Sequence, residues 1–250
     1  MTMPMNDVAI NSTPDISVVV PVFNEAGAAP ALAREIAQAF ADRNFEIVFV
    51  DDASGDTTRA SLIALKAEIP TLRVLSHAVN AGQSRAIRTG VIAARAPIVV
   101  MLDGDGQNDP VDAPDLVAVL TGGAPSLGLV AGERVKRRDD AAKRWASRIA
   151  NGVRRRLLDD GAADTGCGLK VFRREAFLAM PYFDHMHRYL PALMRREGYE
   201  IVFRPVGHRP RTTGASKYTN LGRLAAALTD LAGVLWLRSR AREPGDISES

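Results

Sequence analysis

The chain has 250 residues, 46% of them hydrophobic and 24% charged, with a formal net charge of +3, which describes an ordinary globular protein of one large α/β domain plus a tail. The single cysteine, Cys167, excludes an intramolecular disulfide and fits a reducing cytoplasm. Met1 to Pro14 has neither a basic start nor an apolar core, which excludes a secretory signal, so residues 1–14 are expected to be a disordered leader.

Ile16–Val22 predicts a first buried strand, and Pro21 with Phe23-Asn24-Glu25 forms the loop that leaves it. The next helix, about Ala28 to Phe40, places Leu32, Ile36 and Phe40 on one face. Glu46 to Asp52 reads as a second strand ending in two acids. A turn through Ala53-Ser-Gly-Asp-Thr-Thr58 leads into a helix carrying Leu62 and Leu65, capped by Ser54, Asp56 or Thr57. Leu72–Ser76 is a third strand, Gln83 to Ala94 a third helix and Ile98–Leu102 a fourth strand. This alternation predicts a parallel, right-handed wound sheet.

The fourth strand ends abruptly in Asp103-Gly-Asp105-Gly-Gln107-Asn-Asp109-Pro110. Two carboxylates one residue apart, followed by a side-chain amide, offer hard oxygen ligands suited to Mg²⁺ or Mn²⁺. An EF-hand beginning at Asp103 would need Gly and Glu where this chain has Asn108 and Pro114, so that alternative fails. Ligands of wound α/β sheets bind just beyond the carboxyl ends of strands, where Glu25, Asp51 and Asp103 all fall. Such carboxylates can accept hydrogen bonds from ribose hydroxyls or base edges, although Asp51-Asp52 taken alone reads more readily as a helix-capping loop. No Gly-x-Gly-x-x-Gly follows the first strand and no Walker A sequence occurs, which disfavours a nicotinamide oxidoreductase.

Together Pro21-Val-Phe-Asn-Glu25, Asp51-Asp52-Ala-Ser-Gly-Asp-Thr57, Asn80-Ala-Gly82-Gln83-Ser84 and Leu102-Asp-Gly-Asp-Gly-Gln107-Asn-Asp-Pro110 resemble the nucleotide-sugar half of an inverting family 2 glycosyltransferase with the GT-A fold. The resemblance runs from about residue 16 to 220 and is strongest to polyprenyl-phosphate sugar transferases, the dolichol-phosphate mannosyltransferases and the bacterial undecaprenyl-phosphate enzymes. It implies that Pro21, Phe23, Glu25 and Asp51 line the nucleoside site. It further implies that Asp103, Asp105 and Gln107 hold the metal under the donor diphosphate. The expected domain plan is a GT-A catalytic domain at 15–220 followed by an apolar and basic helix and tail at 221–250.

Pro125 to Glu133 supplies a further strand, Leu127-Gly-Leu-Val-Ala-Gly132, leading to Glu133-Arg134 and followed by a basic segment. Arg134 to Arg156 holds ten Lys or Arg, namely residues 134, 136, 137, 138, 143, 144, 148, 154, 155 and 156. Trp145, Ile149, Val153 and Leu157, at spacing four, predict an amphipathic helix with Lys143, Arg144, Arg148 and Arg155 opposite. The patch implies an anionic partner: nucleic acid, a membrane surface or a phosphorylated substrate. No stacking aromatic series is interleaved, which argues against nucleic acid. The resemblance implies that Arg134, with Lys143 and Ser147, binds the acceptor phosphate.

Asp164 to Glu175 reads as a strand between glycines, then a helix, with Cys167 as a packing residue and not a nucleophile. His185 and His187, two apart, do not share a helix face and are expected to pack or to touch the acceptor, not to bind metal. Transferases that act on sugar hydroxyls typically carry a catalytic acid here, and this chain has Met186-His187-Arg188 instead. A hydroxyl acceptor must lose a proton to a base, whereas a phosphomonoester is already ionised at pH 7. Arg209-Pro-Arg211-Thr-Thr-Gly214-Ala-Ser216-Lys217 resembles a mobile loop that closes on the donor diphosphate, with Arg211 and Lys217 supplying charge to the leaving group.

Leu224 to Leu237 is apolar except at Thr229 and Asp230, too short to span a bilayer, and reads either as an interfacial helix or as one that packs on the domain. The expected activity is transfer of one sugar from a UDP-sugar or GDP-mannose to undecaprenyl or dolichyl phosphate, with Mg²⁺ or Mn²⁺, on the cytoplasmic face of the membrane. A membrane-protein partner is compatible with it. The alternatives are a GT-A enzyme with a saccharide hydroxyl acceptor and an anion-binding or nucleic-acid-binding module built on Arg134 to Arg156.

Overall fold

A computed structural model describes residues 13–134, 156–162, 164, 166–209 and 220–242, with the side chains of 220–227 outside that description. Its centre is a seven-stranded sheet: β1 (Ile16–Val22), β2 (Phe45–Asp51), β3 (Leu72–Ser76), β4 (Ile98–Met101), β5 (Leu127–Arg134), β6 (Lys170–Arg173) and β7 (Glu200–Val206). The spatial order is β3-β2-β1-β4-β6-β5-β7. All pairings are parallel except the two made by β6, which runs antiparallel to both β4 and β5.

Alternation along each central strand decides which layer it packs on. Val18 and Val20 face one core layer with Leu32, Ile36 and Phe40 of the first helical segment, while Val19 faces the other with Ile87 and Val91. The first layer is covered by α1 (Ala29–Ala39), α2 (Thr58–Ala64) and α4 (Ala113–Gly122). The opposite face carries α3 (Gln83–Ala93), α5 (Arg174–Ala179), α6 (Leu190–Arg196) and α7 (Asn220–Ser239). Leu32, Ile36 and Phe40 are all fully or almost fully buried, as their spacing predicts. At the start of α2 the N-cap position is Thr57, and Asp56, just before it, accepts from the Thr58 amide at 2.9 Å.

Winding runs outward from β1 through β2 to β3, then reverses, because β4 pairs with the other side of β1. The reversal opens a crevice at the carboxyl ends of β1 and β4, and Pro21 and Asp103 lie on either side of it. The edge strand β7 is absent from the elements predicted above. Its ladder to β5 is shifted near Leu127 and Leu129, and its side chains are mostly half-exposed, so neither an unbroken apolar run nor a clean alternation marks it. Pro205 is tolerated there because an edge strand has one unpaired side.

The C-terminal helix packs on the domain. Val234 is fully buried in the layer that holds Leu193 and Met194, and Arg196 Nε donates to Leu237 O at 3.1 Å. Its outer side leaves Leu228 and Trp236 exposed, with Arg240 over the Trp236 ring. No helix among the described residues is long and apolar enough to cross a membrane. Of the predicted basic amphipathic helix, only its end is described, at 156–158; there Leu158, not Leu157, is the buried residue.

Candidate active site

The part of the site that holds Pro21, Phe23, Glu25 and Asp51, the residues expected to line a nucleoside, is built from two loops laced together. The Asn24 amide donates to Ser54 Oγ at 2.9 Å and the Gly55 amide returns to Asn24 Oδ1 at 2.8 Å. The Glu25 amide donates to Thr58 Oγ1 at 2.9 Å. Asn24 takes φ 56°, a left-handed conformation that asparagine tolerates better than most residues. Pro21 is buried at the base of this pair of loops, Glu25 is half-buried, and Phe23 is exposed at their rim.

Adjacent residues of a strand point to opposite faces, and Asp51 and Asp52 divide their work accordingly. Both are buried. Asp51 accepts from the Ser54 amide at 3.3 Å. Asp52, read above as part of a helix-capping loop, instead holds the 80–82 turn: its carboxylate accepts from the Ala81 amide at 2.9 Å, the Gly82 amide at 2.8 Å and His77 Nδ1 at 2.7 Å. His77 Nε2 lies 2.9 Å from Thr89 Oγ1, a contact that fixes the ring between strand and helix.

Asp103 and Asp105 come together at the end of β4, half-buried. Gln83 Nε2 donates to Asp103 Oδ1 at 2.8 Å, and Asp105 Oδ1 accepts from the Gln107 amide at 3.1 Å. Burial, and then the neighbouring Asp105 charge, push the Asp103 carboxyl above its usual range, against the pull of Lys170, Gln83 and Arg134. Space around it is tight. A Cβ at Gly168 would overlap the Asp103 carboxylate, and one at Gly104 would come within 2.7 Å of Pro21 O, so the backbones of β1 and of the loop before β6 close directly on the acidic turn.

Among the described residues no three His, Cys, Asp or Glu cluster into a metal cage. The predicted set of two carboxylates and the Gln107 amide is an incomplete coordination shell, and such a shell suits a cation that shares its remaining positions with substrate oxygens. The raised pKa of Asp103 is a second sign of fit, since a cation would stabilise the charge that burial and Asp105 oppose.

Three cationic or polar elements face this pair from the β5–β6 side. Arg134, at the carboxyl end of β5, grips Asp164 with Nε to Oδ2 at 2.6 Å and the second guanidinium nitrogen to Oδ1 at 2.8 Å. Lys170, at the start of antiparallel β6 and opposite Met101 and Ala131, is buried and donates to Cys167 O. Burial lowers its pKa, while Cys167, Asp103 and Asp164 pull the other way. Lys170 went unnoticed in the sequence because a lysine opening a short strand looks like a solvated edge. Cys167 is buried, its thiol pushed up by that burial, and it accepts from Asn108 Nδ2 at 3.7 Å, a packing role as expected.

The remaining predicted residues divide as follows. Lys143, Ser147, Arg211 and Lys217 lie outside the described residues. The stem of the loop that carries Arg211 is described: the Arg209 amide donates to Gln107 O at 2.9 Å, and its guanidinium reaches Asp109 at 2.7 Å and Glu35 at 2.7 Å. That stem is therefore tied to the loop after β4 and to α1. His185 and His187 share no ligand; His185 Nδ1 lies 3.0 Å from Asp230 of α7, and His187 Nδ1 lies 2.7 Å from Ser84 Oγ.

Comparison with known proteins gives this geometry a context. The chain is 31% identical over 237 residues to dodecaprenyl-phosphate galacturonate synthase of Rhizobium johnstonii, covering 92% of this chain and 69% of that one. It is 36% identical over 220 residues to undecaprenyl-phosphate 4-deoxy-4-formamido-L-arabinose transferase of Pseudomonas paraeruginosa, covering 86% of this chain and 63% of that one. It thus spans about two thirds of the length of such relatives. Glucosyl-3-phosphoglycerate synthase of Mycobacterium tuberculosis, solved with Mn²⁺, UDP-glucose and glycerol 3-phosphate, superposes with a TM-score of 0.68 at 21% identity over 93% of this chain and 82% of that one. The same enzyme was also solved with Mg²⁺ and UDP. At that identity the likeness establishes the shared fold. Residues 17–179 match the Glycosyl transferase family 2 profile, and this, with the relatives above, makes the chain a member of glycosyltransferase family 2, of the GT-A fold.

Proposed function

We propose that the chain transfers one sugar, with inversion, from a nucleotide diphosphate sugar to a polyprenyl phosphate. The observation that carries this reading is the opposition of Asp103 and Asp105 at the end of β4 to Arg134 at the end of β5, across the reversed strand β6. One side of the crevice suits a metal-bound diphosphate and the other an anion. The polyprenyl-phosphate relatives support the same acceptor class by their names.

Mg²⁺ or Mn²⁺, held by Asp103, Asp105 and Gln107, would supply Lewis-acid stabilisation of the diphosphate leaving group. The chain's own residues do the rest. Pro21, Phe23, Glu25 and Asp51 receive the nucleoside, in loops already braced by Asn24, Ser54 and Thr58. Arg211 and Lys217 complete the diphosphate site from a loop whose stem Arg209 anchors. Arg134, helped by Lys143 and Ser147, binds the acceptor phosphate, which attacks the anomeric carbon from the face opposite the leaving group. No general base is needed, because the acceptor oxygen is already ionised.

Arg134 starts from a bidentate pair with Asp164, so an arriving phosphate shares or displaces that carboxylate. The unit at 15–220 is the catalytic domain in this reading, and 221–250 is a peripheral element. The exposed Leu228 and Trp236, with Arg240 and Arg242 nearby, support contact of that helix with the cytoplasmic membrane surface, where sugar nucleotides and lipid carriers meet.

The test supplies purified protein with Mn²⁺, a radiolabelled sugar nucleotide and either undecaprenyl phosphate or undecaprenol. Label should enter the organic phase with the phosphate and not with the alcohol. Equal labelling of both, or transfer only to a soluble saccharide, would reject the phosphate acceptor.

A further inference from the structure

His187 and Ser84 form a pair for which the chemistry above has no use. Ser84 is buried at the second residue of α3. Its Oγ lies 2.7 Å from His187 Nδ1 and also accepts from the His187 amide at 3.4 Å. The hydroxyl's one proton is taken to point at the ring, an assignment under which Nδ1 accepts and the ring proton sits on Nε2. Among the described residues Nε2 has no hydrogen-bond partner. Burial first, then the charges of Arg188, Lys170 and His185, lower the His187 pKa to about 3, so the ring is neutral at every physiological pH. Asp184 is exposed, and His185 is turned to Asp230, so neither offers the ring a compensating carboxylate.

The position is informative. Gln83, the residue before Ser84, holds Asp103 Oδ1. Two consecutive side chains at the start of α3 therefore tie the imidazole to the metal-loop carboxylate. A base whose conjugate acid is that strong takes up protons poorly at neutral pH, so His187 does not serve as a general base. Phosphates in this crevice meet cations, Arg134 and Lys170, whereas a neutral N–H donor matches an uncharged oxygen.

We propose that His187 is a specificity-determining contact for the donor, a single Nε2–H held in place by Ser84 that donates a hydrogen bond to a hydroxyl or ring oxygen of the transferred sugar. Ser84 is its positioning residue. The proposal rests on reading Asp103 and Asp105 as the diphosphate site, since the sugar must then lie beside that diphosphate and within the reach of α3.

The test compares binding of UDP with UDP-glucose, and of GDP with GDP-mannose, in Mn²⁺ by calorimetry. His187→Ala should weaken the nucleotide sugar by about 10-fold and leave the nucleoside diphosphate unchanged. His187→Gln, which keeps an N–H donor near the Nε2 position, should recover part of the loss. Equal weakening of both ligands, or of neither, overturns the proposal, and so does a rise in acceptor KM with donor binding intact. Independently of any variant, ¹⁵N-resolved imidazole spectra of the wild-type protein should show an Nε2–H tautomer from pH 5 to 8, and Ser84→Ala should mix the tautomers. A ring protonated on both nitrogens at pH 6 would overturn the proposal. Failure of both ligand pairs to bind the wild type would overturn the donor reading and this proposal together. Sugar-selective loss in a protein that ignores undecaprenyl phosphate would sink only the acceptor assignment.

Discussion

The two halves of the sheet hold their functional groups in different ways. On the β1–β2–β3 side, carboxylates and loop side chains are bonded to backbone amides: Asp52 to Ala81 and Gly82, Asn24 to Gly55, and Ser54 to Asn24. On the β5–β6 side, the cation at the carboxyl end of β5 is bonded to another charged side chain, Arg134 to Asp164. Backbone-held groups are pre-organised and cannot exchange partners without moving the chain, whereas an arginine paired to an aspartate can trade it for a phosphate. The proposed donor half is thus built to stay, and the proposed acceptor half to be re-partnered.

Substitutions should break the two halves differently. The largest effect is expected from Asp105→Asn. Removing one of two carboxylates from a hard-cation site should lower turnover by about 1,000-fold or more and abolish Mn²⁺-dependent nucleotide binding, with the melting temperature retained. Unchanged turnover in EDTA would remove the metal from the scheme. Asp52→Ala should do the reverse. It strips three bonds from a buried turn and should cost about 2 to 4 kcal/mol of stability, read as a lower denaturation midpoint, with donor affinity falling in parallel.

Arg134→Ala comes next, at about 1.5 to 3 kcal/mol, or one to two orders of magnitude in the acceptor's kcat/KM, with donor affinity unmoved. A matching loss of donor affinity would erase the distinction between the halves. The smallest effect is expected at Glu46, buried beneath β1. Burial raises its pKa, and hydrogen bonds from Ser17, the Arg95 amide and Arg73 more than offset that, leaving it below the ordinary glutamate range. A lowered folded pKa means that its stabilisation is complete above the unfolded value and fades as pH falls through the folded one. Glu46→Gln should therefore cost about 1 to 2 kcal/mol near pH 7 and flatten the acid limb of the stability profile. An unaltered acid limb would show that other carboxylates set it.

Legibility followed the same division. Buried parallel strands advertise themselves as β-branched runs ending in polar turns, so β1 to β4 and the Asp103–Asp105 pair could be read directly. β7 could not, since an edge strand with half-exposed side chains and an internal proline carries little pattern. Asp52, Lys170 and the Ser84–His187 pair were also illegible, because each matters through a partner distant in the chain. Ser84 and His187 are 103 residues apart, and no local periodicity links them.

The reversed strand has a consequence for how such a protein can vary. Because β6 runs against β5, the chain leaves the sheet at Arg134 and re-enters it at Lys170 on the same rim. Everything between those two residues is an excursion rooted at one edge of the crevice, and it needs no crossover to return. Variation that keeps Leu158, Cys167 and Leu169, which are buried in the core layers, leaves the strand order unaltered. Variation in that excursion can therefore reshape one side of the crevice and leave the pairing of β1 to β4 untouched.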